Sequence, residues 1–290
     1  MGSTQGDPRP IGVFDSGVGG LTVARALMDL LPDERLVYLG DTARGPYGPR
    51  PLGEVRRFTG EIVAWLGAQD VKLTVAACNT ATAAAVETDP IEASVPLVGV
   101  IRPAVAAAVR ATRSGRVGVI GTVGTIGSGA YDRAMAEVAP GVELVGQACP
   151  GFVELAEGGR TTDAEVREIA RAALAPLQAS GVDTLILGCT HYPLLTGVIS
   201  YVMGDEVILV SSAEETARTV FRRLVDDGLD AHREPLGPDD GPAHRFAVTG
   251  DGTTFQRLAS RFLGPRLTDR GDTMSHLEPG TRLTFEEAPA

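Results

Sequence analysis

Short apolar runs recur along the chain, each followed by a small polar turn and then by apolar residues at helical spacing. Ile11–Phe14 is the first run; it enters Asp15-Ser16-Gly17-Val18-Gly19-Gly20, and Leu21–Leu31 follows with helical periodicity. Further strands are expected at Arg35–Leu39, Leu73–Ala77, Leu97–Val100, Val117–Ile120, Leu144–Ala148, the start of Leu185–Leu195, Val207–Val210 and Phe246–Thr249. Helices are expected at Gly53–Leu66, Thr80–Val86, Ala104–Ala111, Tyr131–Val138, Ala164–Gln178, near Tyr192–Val202, at Ala213–Asp227 and at Thr254–Leu263. Apolar runs without a polar face mark strands buried on both sides, and strand–helix alternation implies parallel sheets covered by helices.

Two stretches read as distorted copies of each other: Leu73–Ala85, LTVAACNTATAAA, and Leu185–Leu195, LILGCTHYPLL. Each sets a cysteine where a strand ends, followed by a threonine-containing turn, Cys78-Asn79-Thr80 and Cys189-Thr190-His191. Ligands of open α/β sheets bind beyond the carboxyl ends of the strands. The expected fold is therefore α/β, with two pseudo-symmetric lobes of mostly parallel sheet and the active site in the cleft between them. The first lobe is expected to be discontinuous, 11–98 plus 209–265, the second 99–208, and 1–10 and 266–290 flexible termini.

The 290 residues leave room for two such lobes, and a net charge of −11 argues against broad binding to nucleic acid or anionic lipid. The acid-rich segments Asp226–Asp240 and Glu278–Glu287 read as a solvated loop and a frayed tail. No apolar run is long enough for a membrane span, and MGSTQGDPRP lacks a secretory pattern, so a cytoplasmic location is expected. Three cysteines without a close pair do not make a disulfide framework and fit a reducing compartment.

Cys78 and Cys189 admit four readings. They could be small core residues, two ligands of a zinc site completed by His191, or one nucleophile activated by His191 with an idle companion. The fourth is a pair of acid/base groups on opposite faces of a substrate carbon, one removing a proton and the other returning one. The Asp15–Gly20 turn lacks G-x-G-x-x-G spacing and a P-loop lysine, so it is a poor nucleotide loop. Its backbone donors suit a carboxylate while Asp15 suits an ammonium, and Tyr47 sits among turn residues where it can line a pocket. Gly121–Gly129 is another strand-to-helix turn rich in donors and hydroxyls. No lysine setting suggests a pyridoxal Schiff base and no cofactor motif is present, so no cofactor and no metal are expected.

The motifs IGVFDSGVGGLTV, YLGDTARGPYG, AACNTATA, GVIGTVGTIGSGAY, CPGFVELAE and LILGCTHYPLL occur in the order typical of one family. From Ile11 to about Leu263 the chain resembles the cofactor-independent aspartate/glutamate racemases, on their glutamate side. The resemblance implies that Cys78 and Cys189 are the two catalytic bases. It implies that Asp15-Ser16, Tyr47-Gly48, Asn79-Thr80 and Thr190-His191 hold L- or D-glutamate, and that Asp15, Asp41, Glu157 and His191 assist the thiols. Glu154 lies close enough to be mistaken for Glu157, and Cys149, in a matched motif without a catalytic counterpart, reads as structural. The implied role is supply of D-glutamate for peptidoglycan by a homodimer. The alternatives are racemisation of aspartate or a related amino acid, or an added binding role that inhibits DNA gyrase.

Overall fold

The computed structural model describes residues 6–231, 244–263 and, for the backbone, 273–276. Its strands in chain order are β1 (Ile11–Asp15), β2 (Leu36–Gly40), β3 (Leu73–Ala76), β4 (Leu97–Gly99), β5 (Arg116–Gly121), β6 (Glu143–Ala148), β7 (Thr184–Gly188), β8 (Ile208–Ser211), β9 (His244–Val248) and β10 (Thr273–His276). The helices are α1 (Leu21–Leu30), α2 (Leu52–Gly67), α3 (Asn79–Thr82), α4 (Ile101–Ala111), α5 (Val123–Gly127), α6 (Ala130–Val138), α7 (Phe152–Gly158), α8 (Ala164–Ser180), α9 (Thr196–Met203), α10 (Ser212–Asp226) and α11 (Gly252–Leu263).

Among the described residues all strand pairings are parallel and fall into two sheets, β10-β9-β2-β1-β3-β4 and β6-β5-β7-β8. The period of two along each strand divides its side chains between two helical layers. Ile11, Val13, Leu36, Tyr38, Leu73 and Val75 face α1, α10 and α11, whereas Phe14, Val37, Leu39 and Ala76 face α2. In the second sheet Leu185 and Leu187 pack with α7, α8 and α9, while Val117, Val119 and Ile186 pack with α4 and α6. β1, β2, β3 and β7 are buried at every position, and for such strands both faces must be apolar or paired. Each fully buried Val, Leu, Ile or Phe contributes roughly 1.5–3 kcal/mol of transfer free energy, so neither layer can be peeled off cheaply.

Four expectations need correction. β8 pairs Thr184–Leu187 with Ile208–Ser211 in the second sheet, so the boundary at 208/209 falls inside a strand; the other, at 98/99, cuts β4 before Gly99. The tail expected to be flexible beyond 265 contributes β10, which continues the first sheet beyond β9. The alanine-rich helix at Thr80–Val86 is one α turn, α3, widening into a π turn at Ala83–Thr88. The helix near Tyr192–Val202 opens as a 3-10 turn, Tyr192–Leu195, with Pro193 near its start, before α9. Of the acid-rich segments, residues 232–240 and 278–287 lie outside the described residues. Among the described residues no helix is long and apolar enough to cross a membrane.

Candidate active site

A cysteine follows the end of each of β3 and β7, Cys78 two residues past Ala76 and Cys189 next to Gly188, and the carboxyl ends of the two sheets face one cavity of about 160 Å³. Cys78, Asn79 and Thr80 enter it from one lobe, and Cys189, Thr190 and His191 from the other. Ser16, from the turn after β1, and Tyr47 and Gly48, from the loop after β2, complete the first lobe's share. The volume is well below that of drug-sized sites, about 300–1,000 Å³, and suits a small metabolite.

Both thiols are 6% exposed, the little that faces the cavity. Cys78 stands at the N-terminus of α3, where its Sγ accepts from Ala81 N at 3.5 Å and its thiol donates to Ser16 Oγ at 3.8 Å. Burial, followed by the negative charge of Asp15, pushes the Cys78 pKa up to about 12, which favours the thiol. Cys189 Sγ lies 3.8 Å from His191 Nδ1, and His191 Nε2 lies 2.9 Å from Glu157 Oε1. Burial alone would neutralise His191, but Cys189, Glu157 and Asp15 outweigh it and raise its pKa to about 10. The ring is therefore an imidazolium at neutral pH, wedged between a sulfur and a carboxylate.

Asn79 Nδ2 donates to Tyr131 Oη at 2.9 Å, while its Oδ1 is buried with no partner. Thr80 Oγ1 lies 3.1 Å from Thr122 Oγ1 and 3.0 Å from Thr125 Oγ1, a cluster of hydroxyls that joins the lobes. Gly124 N donates to Gly48 O at 2.9 Å across the same seam.

Three residues expected to face the substrate or the thiols stand one layer behind the wall. Asp15 is fully buried; Gly17 N donates to its Oδ2 at 3.0 Å and Thr190 Oγ1 to its Oδ1 at 3.4 Å. Burial raises its pKa, opposed by His191 and by these donors. Asp15 thus braces the Thr190–His191 turn and is not among the residues that line the cavity. Asp41 accepts from Tyr47 Oη and, at 2.7 Å, from Thr249 Oγ1, which anchors Tyr47 from behind. Glu157 touches His191, and it is Glu154 that lines the cavity.

Sequence reasoning named Glu154 only as a residue to be mistaken for Glu157 and Thr122 only within a hydroxyl-rich turn, passed over Val153 and assigned Cys149 to the structure, yet all four border the cavity. Thr122 was legible as a helix cap, a threonine directly after an apolar run, since its Oγ1 accepts from Thr125 N at 3.2 Å. Cys149 is 2% exposed and its pKa is pushed up to about 12 by burial and by Cys189, which suits an inert thiol. Among the described residues no group of three or more His, Cys, Asp or Glu side chains gathers as a metal site.

Comparison with known proteins places this arrangement in a family. The Asp/Glu/hydantoin racemase family profile matches residues 21–220. A glutamate racemase of Beutenbergia cavernae is 56% identical over 283 residues, 95% of this chain and 96% of that one. One from Parafrankia is 58% identical over 259 residues, 89% and 92% of the two chains. Among solved structures, glutamate racemase from Bacillus anthracis superposes with a TM-score of 0.85 at 41% identity, covering 93% of this chain and 98% of that one. The Francisella tularensis glutamate racemase, solved with D-glutamate, gives 0.82 at 30% identity, covering 94% and 99%. An aspartate racemase from Picrophilus torridus, 16% identical with a TM-score of 0.54, shares the fold alone. The chain belongs to the Asp/Glu/hydantoin racemase family, among its glutamate racemases.

Proposed function

We propose that the protein interconverts L- and D-glutamate by proton transfer between two thiols and Cα, without a cofactor, and so supplies D-glutamate for peptidoglycan. One observation carries the reading: Cys78 and Cys189, from equivalent strand ends of two lobes, border the same small cavity. A thiolate on one face of Cα takes the proton, and the thiol opposite returns another, which inverts the centre. Cys78, whose burial favours the thiol, is poised to give; His191, 3.8 Å from Cys189 Sγ, shuttles the proton of the second thiol.

The α-proton is a weak acid, so charge developing on the substrate carboxylate needs preorganised donors. The Thr80 hydroxyl and the backbone N–H groups of Asn79 and Thr80 at the start of α3 supply them, and the unpaired Asn79 Oδ1 suits the substrate ammonium. Ser16, Tyr47 and Gly48 are left for the distal carboxylate. Glutamate is preferred over aspartate because the relatives that are 52–58% identical are glutamate racemases.

Circular dichroism of L-glutamate with dialysed protein tests the activity, with decay to zero expected. In D₂O the newly formed enantiomer should carry deuterium at Cα while the remaining substrate stays protonated early on. Cys78→Ala or Cys189→Ala should each abolish net racemisation, and near-native turnover by either would refute the two-base mechanism. Assembly as a homodimer in the cytoplasm belongs to the same reading, and sedimentation velocity at enzyme-assay concentrations tests the assembly. Nothing among the described residues favours the gyrase role.

A further inference from the structure

The end of α11, from the first lobe, reaches the catalytic histidine of the second. The Phe262 ring, 3% exposed, meets His191 edge-on, with centroids 5.7 Å apart and planes at 89°. Its neighbour Arg261 donates through Nη1 to the backbone carbonyl of Glu157. The same guanidinium lies on Gly159, where a Cβ would stand 2.9 Å from Nη1 and where φ is +71°, a conformation that also favours glycine. Two adjacent residues of one helix therefore hold the ring of His191 and the backbone of the carboxylate that it bonds.

His191 needs such support. Its Nδ1 lies between two groups, Thr190 Oγ1 at 3.5 Å and Cys189 Sγ at 3.8 Å, so a modest rotation of the ring decides which it addresses. The last torsion of histidine is broad and imposes no such choice by itself. Arg261 and Phe262 also border a second cavity, about 520 Å³, with Pro193 and Leu194 of the turn that follows His191. A shortened side chain at Phe262 would leave the ring space to swing. Neither residue borders the active-site cavity, and Cys78 has its own partners in Ala81 and Ser16.

We infer that Arg261 and Phe262 are positioning residues for one half of the reaction: they fix the His191 ring toward Cys189 and leave the Cys78 half untouched. The inference rests on the two-base reading. Racemisation itself reports it poorly, because reversibility ties kcat/KM in the two directions together. Elimination from β-chloroglutamate does not have that constraint. A thiolate takes the α-proton, the electron pair forms the Cα–Cβ double bond as the C–Cl bond breaks, and chloride leaves. Water then hydrolyses the enamine to 2-oxoglutarate and ammonium. One thiol suffices, so each enantiomer reports one face.

The experiment compares both enantiomers in wild type, Cys78→Ala, Cys189→Ala, Phe262→Leu, Arg261→Ala and Arg261→Lys. Phe262→Leu and Arg261→Ala should lose about tenfold or more on the enantiomer that Cys189→Ala no longer processes, and less than about twofold on the other, as small misplacements of a reacting group do. Arg261→Lys, which keeps a donor, should recover part of the loss, and the alkaline limb of the pH profile should move for that enantiomer only. Equal losses on both enantiomers, or none, would overturn the positioning role. Should Phe262→Leu fail to fold, the exposed Arg261 carries the test. If the single-cysteine variants show no enantiomer preference, the two-base reading itself fails and this inference falls with it. If they do and the α11 variants do not, only the inference fails.

Discussion

Gly19 meets the opposite lobe with no room to spare. A Cβ there would lie 2.4 Å from His191 Nδ1, His191 Cε1 and Thr190 Oγ1, whereas at Gly17, two residues earlier, it would meet nothing within 4 Å. Gly19→Ala must push the buried histidine away or part the lobes, which should cost about 1–3 kcal/mol of stability and on the order of 10²-fold in kcat. Gly17→Ala keeps the N–H that bonds Asp15 and should change neither; similar activity in the two variants would show that the close approach is not needed. His191 supports a second expectation. Its folded pKa of about 10 lies above the unfolded value of about 6.5, so the charged ring stabilises fully below pH 6.5 and loses that contribution as pH rises to about 10. The melting-temperature deficit of His191→Asn should therefore be largest near pH 6 and shrink toward pH 10, and a deficit that grows with pH would contradict a charged histidine. At this scale the sequence was informative where chemistry sits at strand ends: both cysteines, Ser16, Tyr47, Gly48, Asn79, Thr80, Thr190 and His191 all reach the cavity. The direction of the Asp15 side chain was not legible, because a strand-end carboxylate can turn inward or outward and the packing of Thr190 against it decides.

Strands that are buried on both faces announce themselves as unbroken apolar runs, which is why β1, β2, β3 and β7 were legible. The width of a helical turn is not written in composition. The alanines after Cys78 fit an α turn and a π turn equally well, and the tertiary setting chose the wider one at Ala83–Thr88. The strand at Thr273–His276 was also invisible, since a four-residue strand gains its stability from pairing with β9 rather than from its own pattern. α5 carries the prediction at this scale. It has five residues, too few to persist without its cap, and Thr122 both caps it and joins the hydroxyl cluster with Thr80. Thr122→Ala should cost about 0.5–2 kcal/mol in urea denaturation and raise KM for glutamate, while Thr122→Ser should do little of either. An unchanged KM in the alanine variant would remove Thr122 from the substrate wall.

Across the whole molecule the lobes are joined by bonds that surround the cavity: Gly124 N to Gly48 O at 2.9 Å, Asn79 to Tyr131 at 2.9 Å, and Thr22 Oγ1 to Thr190 O at 3.1 Å. Helices add to the seam, for α10 follows the second sheet directly yet packs on α1 of the first lobe, and α11 reaches His191. Two lobes linked this way should melt as one unit, and a ligand gripped by both should stabilise that unit rather than one half. Binding only to the folded state contributes about 2.7 kcal/mol at 100 times Kd. Each kcal/mol moves the melting temperature by about 2–4 °C for 150–250 residues and by less for a longer chain, so the shift should be about 5 °C. Cys78→Ala is the right protein for calorimetry, because under the two-base mechanism it does not interconvert the enantiomers during the scan and it leaves the proposed carboxylate-binding groups in place. Both L- and D-glutamate should move a single transition upward, since inversion at Cα exchanges only which thiol faces the hydrogen. Two resolved transitions, with glutamate shifting only one, would mean that the lobes unfold separately and that the substrate is held by one of them.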